Sequence, residues 1–293
     1  MKNYQISLAV HDLLLQIFAD RFDINLADFV VLQINNVNLG YLNQTFAKHL
    51  QQDLSHKLQI QNNTFNLIVN NWQEAADLLQ DVAYQWHEKG IYDGWRNEKF
   101  AVTHPNGEVL FALERSAFRP LGLLSHAIHI NGYIEKNNTL MFWIGKRSPK
   151  KVIAPNKLDT LVGGGVANGE SIHNAMIREG FEEAGLPENL LNHAEVSGCH
   201  MSLRKVHRGL HREYIHIFDH RLPDDFIPQN QDGEVSDFIL MNVDEITQQI
   251  IANNFMNDAA LALLATFNRM GFLLDNHKLT QWINSNNYNI VKQ

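Results

Sequence analysis

The chain has one cysteine in 293 residues, Cys199, so no intrachain disulfide can form and a reducing, cytoplasmic setting is expected. It also has few basic residues: 24 Lys and Arg against 32 Asp and Glu give a formal charge of −8. That balance argues against a general nucleic-acid binder, which needs a basic footprint. An anionic substrate would have to be held by local cations or by a metal, against the overall field. No apolar run approaches the roughly 18 residues that a membrane helix needs. The opening MKNYQISLAVHDLLLQ lacks the basic start, apolar core and small-residue cleavage site of a secretory signal. The expectation is a cytoplasmic protein with no membrane and no nucleic-acid partner.

What is present is ordinary globular composition, 45% hydrophobic, in a chain long enough for one large domain or two smaller ones. Punctuation near Glu114-Arg115-Ser116 and Pro120 suggests a division into residues 1–117 and 118–293. In the first part, His11–Phe22 and Gln73–Lys89 read as helices, and Thr64–Val69 alternates as a strand. In the second, Ala127–Glu135 and Thr139–Lys146 flank the turn-prone Lys136-Asn137-Asn138 as a hairpin. Further strands are expected at 212–220 and 237–243, with closing helices at 244–252 and 258–270.

The informative stretch is Gly163-Gly164-Gly165, then Glu170, then Arg178-Glu179-Gly180-Phe181-Glu182-Glu183-Ala184-Gly185-Leu186. Glu179, Glu182 and Glu183 gather on one side of a helix at about 100° per residue, with Ile177, Phe181 and Ala184 opposite. Like charges at helical neighbours repel, so the arrangement needs a reason. Solvation on a surface face is one. Hard divalent cations, which prefer oxygen ligands, are another. Arg178 could hold a carboxylate by a bidentate contact, and the glycines permit close backbone approach. Gly180, inside the helix, costs roughly 1 kcal/mol relative to alanine and suggests a crowded neighbour.

Elsewhere, His207 and His211 are four apart and could share a helix face as metal ligands, although structural or surface histidines are the plainer reading. Cys199 reads as a buried small side chain. Trp95 and Arg96 fit either substrate contact or domain packing.

The whole spacing resembles the Nudix box, Gly-x5-Glu-x7-Arg-Glu-U-x-Glu-Glu-x-Gly-U, with U usually aliphatic. Every fixed position is met, and Gly180 departs from the first U. Lys157-Leu158-Asp159, Asn230-Gln231-Asp232-Gly233-Glu234-Val235 and Gly94-Trp95-Arg96-Asn97-Glu98 further resemble a thiamine-diphosphate-related Nudix group with an extra N-terminal domain.

The resemblance implies an α+β fold: a Nudix α/β/α sandwich around a mixed sheet, preceded by a small α+β domain. It also implies hydrolysis of a small-molecule diphosphate, thiamine diphosphate or its oxidised analogues, to the monophosphate and phosphate, with Mg²⁺ as cofactor and Mn²⁺ as a substitute. Glu179 and Glu183 would be the principal metal ligands, Glu182 a further one, and Glu234 an additional carboxylate at the metal. Arg178 would belong to the catalytic group, and Glu170 would support the helix start. Lys146, Arg147, Lys157, Gly164 and Gly165 would meet the substrate. Nudix proteins are often dimers, so a homodimer stays open. The alternatives are a nucleoside-diphosphate derivative of the ADP-ribose or NADH type as substrate, or a non-catalytic Nudix module. An isomerase of the same fold would need a cysteine before the glycine loop, where Leu158-Asp159-Thr160 stands.

Overall fold

The computed structural model describes residues 4–22, 24–151 and 153–288. Its strands and helices form an α+β architecture with three sheets. The largest has seven strands. Its main path runs Gly198–Val206, Gly209–Arg221, Ser125–Lys136, Thr139–Arg147 and Val235–Asn242. Val162–Gly165 adds to the side of Ser125–Lys136, and Leu158–Asp159 to the side of Thr139–Arg147. The sheet is mixed, because Gly209–Arg221 runs parallel to Ser125–Lys136 while the other pairs are antiparallel.

The expected hairpin is present. Asn137 and Asn138 both take positive φ, +52° and +59°, as a tight turn matched to strand twist requires. His207 and His211 are not on a helix. His207 lies in the turn after Gly198–Val206, and His211 on the next strand pairs with Arg204. His211 is buried there with its neighbours Gly209 and Leu210.

Period-two alternation divides the core of this sheet. Ile128 and Ile130 face Ala175 and Met176 of the helix Ile172–Ala184. Ile215 and Ile217 face the other side, with Leu261 and Leu264 of the helix Asn257–Arg269. The first helix, Leu8–Ile17, joins this second cluster through Leu14, although residues 30–123 build a core of their own. That separate core covers a four-stranded sheet in the order Val37–Leu42, Val30–Ile34, Thr64–Leu67, Leu58–Gln61. The parallel central pair is joined across the helix Gln44–Leu54. Trp72–Glu88, capped by the Asn71 side chain on the Glu74 amide, fills it with Ala75, Leu79, Val82 and Trp86. Full burial of each large apolar side chain contributes roughly 1.5–3 kcal/mol. A two-stranded ribbon, Lys99–Thr103 with Val109–Glu114, leads to the seven-stranded sheet. Among the described residues, no helix is long and apolar enough to cross a membrane.

Candidate active site

The helix carrying the glutamates begins where the sequence signals it. The Ser171 hydroxyl accepts the Asn174 amide at 3.1 Å, an N-cap that satisfies a free donor. The helix ends at Gly185, with φ +65°, where Gly185 and Leu186 donate to the Phe181 and Gly180 carbonyls. The bond from Gly185 to Phe181 is the 5→1 bond of a left-handed glycine cap. The buried side is Ala175, Met176, Gly180, Glu183 and Ala184. Phe181 departs from the expected apolar anchor: it is 56% exposed. Gly180 takes the packing position instead, pressed against Leu191 and Ile130.

The strand Val162–Gly165 lies between this helix and the N-terminal part of the chain. Its glycines alternate in what they admit. A Cβ on Gly164 would sit 2.0 Å from Cδ of Glu179, and one on Gly165 would sit 2.5 Å from Cζ of Phe100. One side of the strand therefore receives the carboxylate, and the other receives an aromatic ring of the first core.

Glu183 is buried, and its carboxylate accepts the Gly163 amide at 2.8 Å. Burial pushes its pKa up to about 8, aided by the charges of Glu179 and Asp159 and opposed by the Gly163 amide and Lys151. Glu179 is also raised by burial, with Arg178 pulling the other way. Arg178 organises the group. It donates from Nε and Nη2 to the two oxygens of Glu170 at 2.8 and 2.9 Å, and from Nη1 to Glu179 at 2.8 Å and Glu182 at 3.1 Å. Glu182 is the most exposed of the three box glutamates.

A cavity of about 330 Å³ opens here. Glu179, Glu182, Arg178 and Gly163–Gly165 line it, together with Asp159, Arg147, Lys151, Asp232 and Glu234. Glu234 is ion-paired with Lys151. The ammonium of Lys151 is shifted down by burial and by Arg147. Arg147 is already engaged, donating to Asp159 at 3.1 Å and to the Ile153 carbonyl at 3.0 Å. Lys146 and Lys157 do not line the cavity. Lys157 donates instead to the Asn253 carbonyl at 2.8 Å on the surface. Trp95 also lies off the cavity, stacked on His87, whereas Arg96 lines it.

Sequence reasoning assigned no role to Asp159, Lys151, His129, Glu213 or Asp258, all of which line the cavity. Asp159 stands four residues before Gly163, within the Lys157-Leu158-Asp159 segment that carries part of the resemblance.

Glu179 and Glu183 suit a hard cation: burial raises both, and the charge of Glu179 raises Glu183 further. Arg178 pairs with Glu179, whereas among the described residues only the Gly163 amide hydrogen-bonds the Glu183 carboxylate. The box glutamates are not drawn into the tightest group. Among the described residues, the ligand atoms that lie within 4.8 Å of one another belong to His211, Glu213 and Asp258.

Comparison with known proteins places this geometry. The NUDIX domain family model matches residues 127–262, and a domain of unknown function (DUF4743) matches residues 14–125. "Nudix hydrolase 24, chloroplastic" of Arabidopsis thaliana is 33% identical over 247 residues, 83% of this chain and 67% of that protein. "Nudix hydrolase 20, chloroplastic" of the same plant is 31% identical over 260 residues, 85% and 70% of the two chains. An uncharacterised protein of Saccharomyces cerevisiae is 27% identical over 245 residues, 78% and 70%. The likeness runs through both parts of the molecule as well as the box, and the chain belongs to the Nudix hydrolase family.

Proposed function

We propose that this Nudix hydrolase is a Mg²⁺-dependent diphosphatase that converts thiamine diphosphate, or its oxidised analogues, to the monophosphate and phosphate. Mn²⁺ would serve as a substitute metal. The observation that carries the metal dependence is the pair Glu179 and Glu183 on one helix, both packed against the glycine strand, with Glu183 buried near the acidic Glu179 and Asp159 and held by the Gly163 amide. The thiamine-type substrate rests on the resemblance of the segments around residues 94–98, 157–159 and 230–235 to that Nudix group.

Glu179 and Glu183 would hold the metal, with Glu182 and Glu234 completing the carboxylate set from the helix and the opposite loop. A bound divalent ion neutralises the diphosphate and lowers the pKa of a coordinated water. Arg178 fixes Glu179 and Glu182 relative to each other through one Nη1. Gly164 lets the Glu179 carboxylate approach the backbone, Gly165 admits the Phe100 ring, and both would line the diphosphate's path. Lys151 is the cation best placed to meet a phosphoryl oxygen once Glu234 turns to the metal. Arg147 contributes by holding the loop at Ile153 and Ala154 against Asp159. The part of the chain before residue 118 would act as a separate domain that walls the cavity through Arg96 and Phe100.

The test is a turnover screen of about a dozen diphosphates with and without Mg²⁺, with products identified by mass. Phosphate plus a thiamine-type monophosphate is expected. Faster cleavage of ADP-ribose or NADH would remove the substrate assignment, and Mg²⁺-independent turnover would remove the mechanism.

A further inference from the structure

The cavity has a second polar end, and the strand Ser125–Lys136 measures its distance from the first. Ser125, Ala127 and His129 alternate onto the cavity side of that strand. His129 pairs with Gly163, whose amide holds Glu183. Ser125 pairs on the other edge with Glu213. Four residues of strand separate the two levels, about 13 Å at a strand rise of about 3.3 Å per residue.

Glu213 and Asp258 both line the cavity. Asp258 is saturated, accepting from the Ser202 hydroxyl at 2.6 Å and from Arg204 at 2.7 and 3.0 Å. Glu213 is not: Oε2 accepts the Ser125 hydroxyl at 2.7 Å, whereas Oε1 has only Nε2 of His211 at 3.7 Å as an ion-pair contact among the described residues, beyond hydrogen-bond reach. His211 is 1% exposed, and its Nε2 has no hydrogen-bond partner.

This group does not suit a metal ion. Arg119 Nε, which always carries a proton, donates to Nδ1 of His211 at 3.1 Å. The ring proton is therefore on Nε2, which points at the two carboxylates as a donor and has no lone pair for a cation. Arg204 and Arg119 already supply the counter-charge. What is left is a carboxylate that lines the cavity with one oxygen, Oε1, that accepts no hydrogen bond from the described residues. Between the two ends, the buried rings of Phe100 and Phe118, packed edge to face with the Arg115 guanidinium over Phe100, give the cavity an apolar stretch of wall.

We infer that Glu213 is the recognition carboxylate for the organic group of the substrate, accepting a hydrogen bond from a planar, amino-bearing heterocycle whose diphosphate lies at the box glutamates. The inference rests on the diphosphatase reading for its orientation. The amine belongs either to the pyrimidine of a thiamine-type molecule or to the base of a nucleotide, and the two sources separate in the test.

The full chain and Glu213→Gln are assayed with Mg²⁺ on thiamine diphosphate, ADP and ethyl diphosphate. The variant keeps the Ser125 contact but loses the charge, so KM for the recognised heterocyclic diphosphate rises about tenfold. Its kcat/KM falls by the same factor relative to ethyl diphosphate. Whichever of thiamine diphosphate and ADP shows the loss names the source. Equal changes on all three substrates, or none, overturn the assignment. Binding of thiamine and of adenosine, measured by calorimetry without metal, provides a phosphate-free check. If Glu213→Gln weakens one of them tenfold while no diphosphate is cleaved by either protein, the recognition site stands and the diphosphatase reading falls. If neither binds the unmodified chain, the recognition site falls.

Discussion

The Gly163 amide donates to the Glu183 carboxylate at 2.8 Å from a strand edge, although Glu183 is the penultimate residue of a helix packed against that strand. The contact is one of few favourable interactions open to a carboxylate that burial and two acidic neighbours push towards its neutral form. Glu183→Gln keeps an acceptor for the amide and removes the charge. The variant should fold with an apo melting temperature equal to or above that of the parent. It should also lose the rise in melting temperature on Mg²⁺ addition and at least about 100-fold in turnover. A metal-induced shift that survives the substitution would exclude Glu183 as a ligand.

The same carboxyl sets a pH dependence. Its folded pKa of about 8 stands above the ordinary 4.5, so between those values the folded state binds more protons than the unfolded one. Its contribution to apo stability is therefore complete below pH 4.5 and is lost as pH rises through about 8. Metal binding requires the carboxylate, so Mg²⁺ affinity should rise with pH up to about 8, by as much as about tenfold per unit, and then level off. Melting curves of the apo and Mg²⁺-loaded protein from pH 5 to 9 test both signs. An affinity that does not change with pH over that interval would remove Glu183 from the ligand set.

Gly164 and Gly165 are adjacent but should fail in different ways. In Gly164→Ala the new methyl occupies the position of the Glu179 carboxyl, and if Glu179 holds the metal as proposed, displacing it by about 1 Å can cost about 100-fold in rate. Activity should collapse with only a modest loss of stability. In Gly165→Ala the methyl meets the Phe100 ring, which belongs to the first core. Overpacking of that kind costs about 1–3 kcal/mol, and Phe100→Leu in the same chain should recover part of it. Denaturant unfolding of the two singles and the double measures the coupling. An additive double would show that the two positions do not interact.

Local signals made some of this structure legible. Ser171 and Gly185 bracket the glutamate helix, and Asn137-Asn138 marks the hairpin. Asn35-Asn36 carries the same signal, with φ of +48° and +68° between Val30–Ile34 and Val37–Leu42, and the sequence reading passed over it. The cavity was not legible in the same way. Glu213 and Asp258 meet Arg119 and His211 only through strand pairing and the packing of a late helix. No window of sequence contains them together, and helical spacing misplaced His211. Phe181 was misread because helical periodicity identifies a face without saying what covers it, and here the covering side chain, Leu191, needs a glycine.

That glycine, Gly180, gives a prediction in which two opposing magnitudes compete. Alanine would gain about 1 kcal/mol of helix propensity. Its Cβ would stand 2.7 Å from Cδ1 of Leu191 and 3.5 Å from Ile130, an overlap that costs about 1–3 kcal/mol in a packed core. The contact atom is the tip of a side chain rather than backbone, so part of the overlap can relax. Gly180→Ala should therefore be neutral to destabilising by about 2 kcal/mol in denaturant unfolding. Shortening the neighbour releases the gain, and the double variant Gly180→Ala with Leu191→Val should be more stable than Leu191→Val alone. If alanine is destabilising in both backgrounds by the same amount, Leu191 is not the reason that glycine stands in this helix.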